Sequence, residues 1–508
     1  MSVQPFQVGP ILGHVTQNEI RLFGKVPSNK ISLSSSYFRI TAKPNIGKVR
    51  LRKETQEQWQ TFTFRINQNF DWSGVIVINT LSAKTKYIYQ AGFTEQEQIE
   101  DWQLDWSNMA VYSFHTQPES HEKNIQFYFG SCRYPYFVTE KNKERSERTD
   151  KCFESMIYKH QTDTMQTVQF QLLLGDQIYA DPLSQIPFAG AYSFESYCEA
   201  YQVSFGSSYF KQTSAHIPTY MILDDHEVEN EFPTPSGNWY EKIFEGIHGL
   251  EFNKVVNALR AYTIYQVSHS PIFNDLHSLT PTSFAIKGHN GSSDPQQFWY
   301  TFESGISRFF IMDVRTERNP FLNKMIDELQ MEALLSWLLK YPNAPKFIGS
   351  SVPFFPDSKC ENPNKKALDL DKWTGFTEQR NQILDTIFNE NIKNVFFLSG
   401  DVHASFCTSL YSKKYKNPKN VIHNLVCSPF FWPEYKIFRA FRWQEKQLIT
   451  NTLLKNSTDY FCERTAQHGA FFNHSAYGKV SVKNDKVLFE VFNRTEDKQV
   501  INAEFELT

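Results

Sequence analysis

Five short apolar runs in this 508-residue chain are each followed at once by residues that can ligate a metal or move a proton. Phe127-Tyr-Phe leads to Gly130-Ser-Cys132-Arg133, and Leu172-Leu-Leu leads to Gly175-Asp176-Gln-Ile-Tyr179. Tyr220-Met-Ile-Leu runs into Asp224-Asp225-His226-Glu227, Phe309-Phe-Ile-Met into Asp313-Val-Arg315, and Phe396-Phe-Leu into Ser399-Gly400-Asp401-Val-His403. Continuous apolar runs of this length read as strands buried on both faces. The loops beyond the carboxyl ends of such strands converge on one crevice. Several carboxylates, at least two histidines and a thiol would then lie within reach of each other. Carboxylates crowded in this way repel and draw protons unless a cation neutralises them. A dinuclear metal centre is the economical reading.

Each piece also has a plainer explanation. A single cysteine such as Cys132 is more often a buried thiol than a ligand, and Asp176 after a glycine can simply end a strand in an Asx-turn. Asp313 and Arg315 suit a structural ion pair as well as a site. Asp224 to Glu227 is harder to dismiss, because four ionisable groups in a row after an apolar run are costly to bury without a function. Asp401 and His403 form an i, i+2 pair that can point two ligands at adjacent ions. His423, His468 and His474 stand outside these strand-end motifs and are assigned no role.

The elements that must position these residues fall into two parts. Residues 1–118 carry short alternating β-type runs: Glu19-Ile-Arg-Leu-Phe-Gly, Ser36-Tyr-Phe-Arg-Ile, Gln60-Thr-Phe-Thr-Phe-Arg-Ile and Thr85-Lys-Tyr-Ile-Tyr-Gln. They predict a small antiparallel β-sandwich without catalytic residues, serving as a cap or accessory domain. Residues 119–508 alternate helices with buried strands, the pattern of an α/β sandwich. Met325 to Leu338 predicts a helix with Ile326, Leu329, Leu334, Leu335 and Leu338 on one face. Thr377 is expected to cap a helix bearing Ile383, Leu384, Ile387 and Phe388, and Phe153 to Tyr158 is also amphipathic. Lys141 to Lys151, a mixed-charge run, is expected to be a solvated loop or lid. Gly478-Lys-Val-Ser-Val and Val487-Leu-Phe-Glu-Val-Phe predict a closing antiparallel pair.

The bulk numbers narrow the classes. Two domains are expected at this length. Hydrophobic residues make up 40%, charged residues 21%, and the formal charge is −3, so no polyanion partner such as a nucleic acid polymer is advertised. Aromatics at 16%, with 45 Phe, predict bulky cores and an aromatic-walled cleft. The seven cysteines are scattered and odd in number, which argues against a disulfide framework or a zinc ribbon. No stretch approaches the roughly 20 apolar residues of a membrane span. The N-terminus shows no signal peptide and no twin arginine, so a cytoplasmic location is expected, with export by another route left open.

Gly-Ser-Cys, Gly-Asp-Gln-Ile-Tyr, Asp-Asp-His-Glu and Ser-Gly-Asp-Val-His occur here in the order used by the alkaline phosphatase D-like (PhoD-like) metallophosphatases. These belong to the calcineurin-like phosphoesterase superfamily, and the resemblance spans essentially the whole chain. The opening Val8-Gly-Pro-Ile-Leu-Gly-His-Val-Thr is similar to the start of that family's β-sandwich domain. Weaker echoes are Trp299-Tyr-Thr-Phe, Asp313-Val-Arg315-Thr, Asp371-Lys-Trp373 with Arg380, and Cys427-Ser-Pro. The resemblance implies a four-layer α/β/β/α metallophosphoesterase sandwich behind the N-terminal domain. It also implies a metal-dependent phosphoesterase in which Asp176 bridges two ions.

On the same resemblance, Cys132 and Tyr179 would hold an iron(III), an ion that suits thiolate and phenolate. Asp225 stands where the superfamily has an Asn ligand, and Asp401 where it has the first His of Gly-His-x-His. His403 keeps the second. More oxygen ligands at the second ion fit Ca2+. The superfamily's ligand His in the preceding strand has no counterpart in Phe347-Ile-Gly-Ser-Ser-Val-Pro353.

The expected chemistry is in-line attack on phosphorus by a hydroxide held at the two ions. His226 would protonate the leaving oxygen, and Arg133 would bind a non-bridging oxygen through its fork. Asn230 is left open as a helper at the second ion. The substrate class is a small-molecule phosphate ester, with diesters slightly favoured because no basic cluster beyond Arg133 and Arg315 is visible for a monoester's extra charge. Two alternatives remain at this stage: a non-enzymatic binding protein on a metallophosphatase scaffold, and a nuclease of the same superfamily, which the lack of basic stripes disfavours.

Overall fold

The computed structural model describes residues 1–27, 46–95, 100–134, 149–163, 168–181, 190–233, 250–272, 297–358, 370–414, 420–433, 442–465, 469–494 and 497–508. The strand expected at Ser36 to Ile40, the charged run 141–148, Cys360 and His468 lie outside the described residues.

The alternating runs near the N-terminus form two antiparallel sheets. Strands Val8–Val15, Ile20–Lys25 and Ser73–Ile78 make one, and Gln60–Arg65, Ile46–Lys53, Lys86–Thr94 and Tyr112–His115 make the other. Leu12, Leu22, Val49, Tyr89, Ala91 and Phe114 share one core. The opposite face of the first sheet is also apolar. Val8, Ile11 and Phe23 join the core of the following segment, so this region is built into the rest of the fold more closely than a detachable cap.

All five apolar runs that precede candidate site residues are strands. Three belong to a six-stranded sheet ordered Thr219–Ile222, Phe170–Leu174, Ile125–Gly130, Ala476–Lys483, Lys486–Asn493 and Gln499–Glu506. The first three are parallel and the last three antiparallel. The expected C-terminal pair is present, with Gln499–Glu506 added. The other two runs belong to an eight-stranded sheet, in which Ser307–Ile311, Lys346–Ser350, Val395–Ser399 and Ile422–Val426 are successive parallel neighbours.

Alternation along these strands explains why every position is apolar. Phe127, Phe170 and Leu172 point into a core shared with Phe309, Phe347 and Phe396 of the second sheet. Phe127 stacks on Phe170 at 5.0 Å and meets Phe309 edge-on at 5.4 Å. From the other face, Tyr128, Leu173 and Met221 pack against helices Lys151–Thr162, Phe194–Phe205, Ser208–His216 and Leu250–Tyr262. On the second sheet, Phe310, Ile348 and Phe397 pack against helices Glu328–Lys340 and Thr377–Asn389.

Two helix details differ from expectation. Leu329 is exposed, and Met331, Leu334, Trp337 and Leu338 form the buried stripe instead. At about 3.6 residues per turn Leu329 lies roughly 140° round the helix from Leu334, so the two cannot share a face; Asp327 caps the helix by accepting from Gln330 N. Thr377 is the first helical residue, after Phe376 at the cap position. No helix among the described residues is long and apolar enough to cross a membrane.

Candidate metal centre

The carboxyl ends of strands from both sheets meet where the strand-end motifs lie. Gly175 holds a φ of 90°, and a Cβ there would lie 2.3 Å from Asp224 Cβ, so only glycine lets these two neighbouring loops approach so closely. Four of the candidate ligands then adopt left-handed backbone without being glycine: Cys132 at φ 55°, Asp176 at 56°, Asp401 at 66° and His403 at 49°. Such conformations cost about 1–3 kcal/mol each and persist only where their surroundings over-determine them.

Here the surroundings are hydrogen-bonded. Cys132 N donates to Gly175 O at 3.1 Å, and Asp401 N donates to Ser131 Oγ at 3.1 Å. Glu227 is fully buried. Its carboxylate accepts from the backbone N–H groups of Asp176, Gln177 and Asp224 at 3.0, 2.7 and 3.0 Å, and from Gln266 Nε2 at 3.1 Å. One side chain thus ties the Asp176 loop to the Asp224 loop. Burial pushes its carboxyl up to about 7, against the pull of the N–H donors.

The structure brings Cys132, Asp176, Tyr179, Asp225, His226, Asp401 and His403 together. Donor atoms of Cys132, Asp176 and His403 lie within 4.8 Å of one another, as do those of Asp176, Asp225 and His226, and those of Asp224, Asp225 and Asp401. Asp176 Oδ2 is 3.3 Å from Cys132 Sγ and 3.2 Å from the Tyr179 hydroxyl, which is itself 3.3 Å from His403 Nε2. The Trp432 ring lies 3.9 Å from the His403 ring, and Tyr134 packs edge-on to Tyr179 at 5.1 Å.

Protons crowd this cluster. Burial, then the neighbouring carboxylates, raises Asp176 well above the usual range, and burial does the same to Asp401. Asp224 is pushed up to about 6 by burial against the opposing pull of Arg315. Burial followed by Asp176 also raises the Cys132 thiol and the Tyr179 phenol. Three buried carboxylate oxygens, Asp224 Oδ2, Asp225 Oδ1 and Asp401 Oδ2, accept no hydrogen bond among the described residues. Asp225 Oδ1 has only Arg315 Nη2 at 3.5 Å and Asp401 Oδ2 only Lys372 Nζ at 3.7 Å as charged neighbours, and oxygens held so loosely beside a thiol, a phenol and two imidazoles are the donor set of a cation site. The residues present fit a pair of metal ions.

His226 is fixed from the side. Its Nδ1 is 2.7 Å from Asp181 Oδ1, and its ring lies 4.3 Å from the Tyr179 ring. Burial alone would lower its pKa, but Asp181, Asp225 and Asp176 together hold it well above the ordinary value.

Arg133 is not part of the cluster. Its guanidinium is fully buried and bonds Asp150 Oδ1 at 2.9 and 2.6 Å, Ser204 O and Oγ at 2.8 Å, and Ser207 Oγ at 2.5 Å, between the rings of Phe153 and Phe210. The expected hold on a phosphate oxygen is therefore corrected: Arg133 anchors the helices behind the Ile125–Gly130 strand. Asn230 is exposed and donates from its backbone to Asp181, and the structure does not bring its side chain in. Arg315 pairs across the loops with Asp224 at 2.5 Å and Asp371 at 2.5 Å, and only its backbone N–H meets Asp313.

Sequence reasoning gave no role to Asp181, Asp371 or Lys372, and none to Asp224 as a ligand. Asp181 had a signal, as an acid two positions beyond Tyr179 in the same loop. Asp371 and Lys372 stood only in a weak family echo, Asp371-Lys-Trp373, and chain folding brings them to the site.

The sequence model of the PhoD-like phosphatase family matches residues 153–487, which include every candidate ligand except Cys132. Alkaline phosphatase D of Bacillus subtilis (strain 168) is 25% identical over 218 residues, 40% of this chain, and the match spans only 33% of that protein's length. A solved structure of PhoD superposes with a TM-score of 0.67 at 16% identity, covering 100% of this chain and 91% of that one, so the two share a fold. Since the family match takes in well over half of the chain, the protein belongs to the PhoD-like phosphatase family.

Proposed function

We propose that the cluster is the dinuclear centre of a phosphoric ester hydrolase acting on small-molecule phosphate esters. The observation that carries this is the set of carboxylate oxygens that accept no hydrogen bond among the described residues, in a buried cluster whose donor atoms lie within 4.8 Å in overlapping groups. Cys132, Tyr179 and His403 would hold one ion and Asp225 and Asp401, with Asp224 beside them, the other; Asp176 is common to both sides. Thiolate, phenolate and imidazole favour Fe3+ at the first position, and the all-carboxylate set favours Ca2+ at the second. Two bound cations supply Lewis acidity and neutralise charge on the phosphoryl group.

The chain's own groups do the rest. Glu227 and the left-handed residues hold the ligands in place before substrate arrives. Asp181 engages His226 Nδ1, which leaves Nε2 to deliver a proton to the leaving oxygen. Trp432 and Tyr134 wall the cluster with apolar surface and exclude water. The fold reading that goes with this function is a four-layer α/β/β/α sandwich over residues 119–508 preceded by a β-sandwich over 1–118. The two helix-on-sheet cores flanking one sheet-on-sheet core support it.

Metal analysis by mass spectrometry with bis-p-nitrophenyl phosphate hydrolysis on the same sample tests the proposal. Iron with calcium and turnover is the expected result. Protein that takes up neither ion and hydrolyses nothing after incubation with both would sink the reading and favour a binding scaffold.

A further inference from the structure

The expectation of diester substrates rested on the lack of basic residues for a monoester's second charge, and Arg133 and Arg315 were the only candidates. Both are fully buried and engaged elsewhere. The structure supplies a different cation. Lys372 Nζ lies 3.7 Å from Asp401 Oδ2 and 3.4 Å from Asp371 Oδ2, over the ring of Trp443 at 5.3 Å.

Three observations favour a substrate role over a plain ion pair. First, Asp401 is the most exposed of the proposed metal ligands, its side chain 15% exposed against 7% for Asp225, so the cluster opens on the Lys372 side. Second, Asp371 is shared by three cations, with Arg315 at 2.5 Å, Arg318 at 3.1 Å and Lys372 at 3.4 Å. Arg315 is also met by Asp224 at 2.5 Å and Asp225 at 3.5 Å, so once Asp401 turns to a cation Lys372 is the member of the trio that faces the opening. Third, the Arg315 and Arg318 side chains are 0% exposed and that of Lys372 is 12% exposed, so Lys372 alone of the three can reach a ligand in solution. Its four-carbon stem lets the ammonium leave Asp401 when that carboxylate turns to a cation.

Resting on the phosphoesterase reading above, we infer that Lys372 is a substrate-binding and specificity residue that pairs with a non-bridging oxygen of a dianionic phosphomonoester. A monoester carries one negative charge more than a diester, and an ammonium beside the cluster's most exposed ligand favours that extra charge.

The test uses the full chain loaded with iron and calcium, as wild type, Lys372→Met, Lys372→Gln and Lys372→Arg. kcat/KM is measured at pH 8 for p-nitrophenyl phosphate and for bis-p-nitrophenyl phosphate, with metal content on each sample. Removing the charge is expected to lower monoester turnover on the order of tenfold more than diester turnover, and Lys372→Arg to restore most of the difference. Independently of turnover, inorganic phosphate should raise the thermal midpoint of the wild type more than that of Lys372→Met or Lys372→Gln. Equal loss on both esters, loss of metal from the Met and Gln variants, or an unchanged phosphate shift would overturn the inference and leave the phosphoesterase reading standing. A metal-loaded wild type that cleaves neither ester would remove that reading and this inference with it.

Discussion

Gly400 sits where the two sheets meet, and adding one methyl group there tests whether the site depends on that contact. A Cβ on residue 400 would lie 2.1 Å from Ser131 Oγ, 2.4 Å from Ser131 Cβ and 3.3 Å from Leu174 O. Ordinary contact between such atoms is about 3.5 Å, so the loops must separate by roughly 1 Å. Those loops carry Cys132 on one side and Asp401 on the other, and the Asp401 N–H bond to Ser131 Oγ crosses the same gap. Overpacking of this kind costs about 1–3 kcal/mol in stability. A shift of about 1 Å at positioned groups lowers turnover by roughly 100-fold. Gly400→Ala should therefore stay folded, bind its metals more weakly and lose about two orders of magnitude in kcat/KM on the better ester. The assays are urea denaturation, metal titration and steady-state kinetics on the same preparation. A variant with wild-type metal affinity and wild-type turnover would refute the idea that the facing strand ends fix the ligand geometry.

Asp176→Asn is expected to abolish turnover and strip metal, whereas His226→Ala should lower kcat with metal retained; metal loss in the latter would make His226 a ligand instead of the acid. Glu227→Gln, measured at pH 8.5 where the carboxyl is ionised, turns an amide NH2 towards buried N–H donors. It should cost about 2–4 kcal/mol by urea denaturation, and an unchanged midpoint would show that the carboxylate does not brace the loops. His269 is fully buried, its Nε2 near Tyr265 O at 3.1 Å, and burial lowers its pKa to about 4. The unfolded chain, at about 6.5, binds more protons between pH 6.5 and 4. Stability should therefore fall by about 3 kcal/mol as pH is lowered through that window. His269→Gln should flatten this slope, and an equally steep slope in the variant would place the loss elsewhere.

The gathering of Cys132, Asp176, Asp225, Asp401 and His403 was legible because each lies just beyond a run that reads as a buried strand, and five such ends can converge in few ways. Arg133 was misread for a local reason. Neighbours in sequence do not share a direction, and the left-handed turn at Cys132 sends the thiol to the cluster and the next side chain behind the sheet. Leu329 was misassigned because it is five residues from Leu334, roughly 140° round a helix of about 3.6 residues per turn, and so falls off the stripe that Met331, Leu334, Trp337 and Leu338 bury. Lys372 stood only in a weak echo of the family, Asp371-Lys-Trp373, and was given no role because Asp401, its neighbour in the site, is distant in the chain. The strands near the N-terminus were readable from alternation, but not the way Val8, Ile11 and Phe23 merge with the later core, because apolar residues on both faces look alike until a partner is known.

The strand that presents Cys132 lies between Phe170–Leu174 and Ala476–Lys483 in its sheet. During synthesis one neighbour therefore emerges soon after it and the other several hundred residues later. At roughly 5–20 residues per second, the nascent chain carries an open, phenylalanine-rich sheet edge for something like half a minute. That edge is the kind of surface that pairs with the wrong strand. A chaperone that shields residues 125–130 until Ala476–Lys483 arrives would raise the yield of active protein.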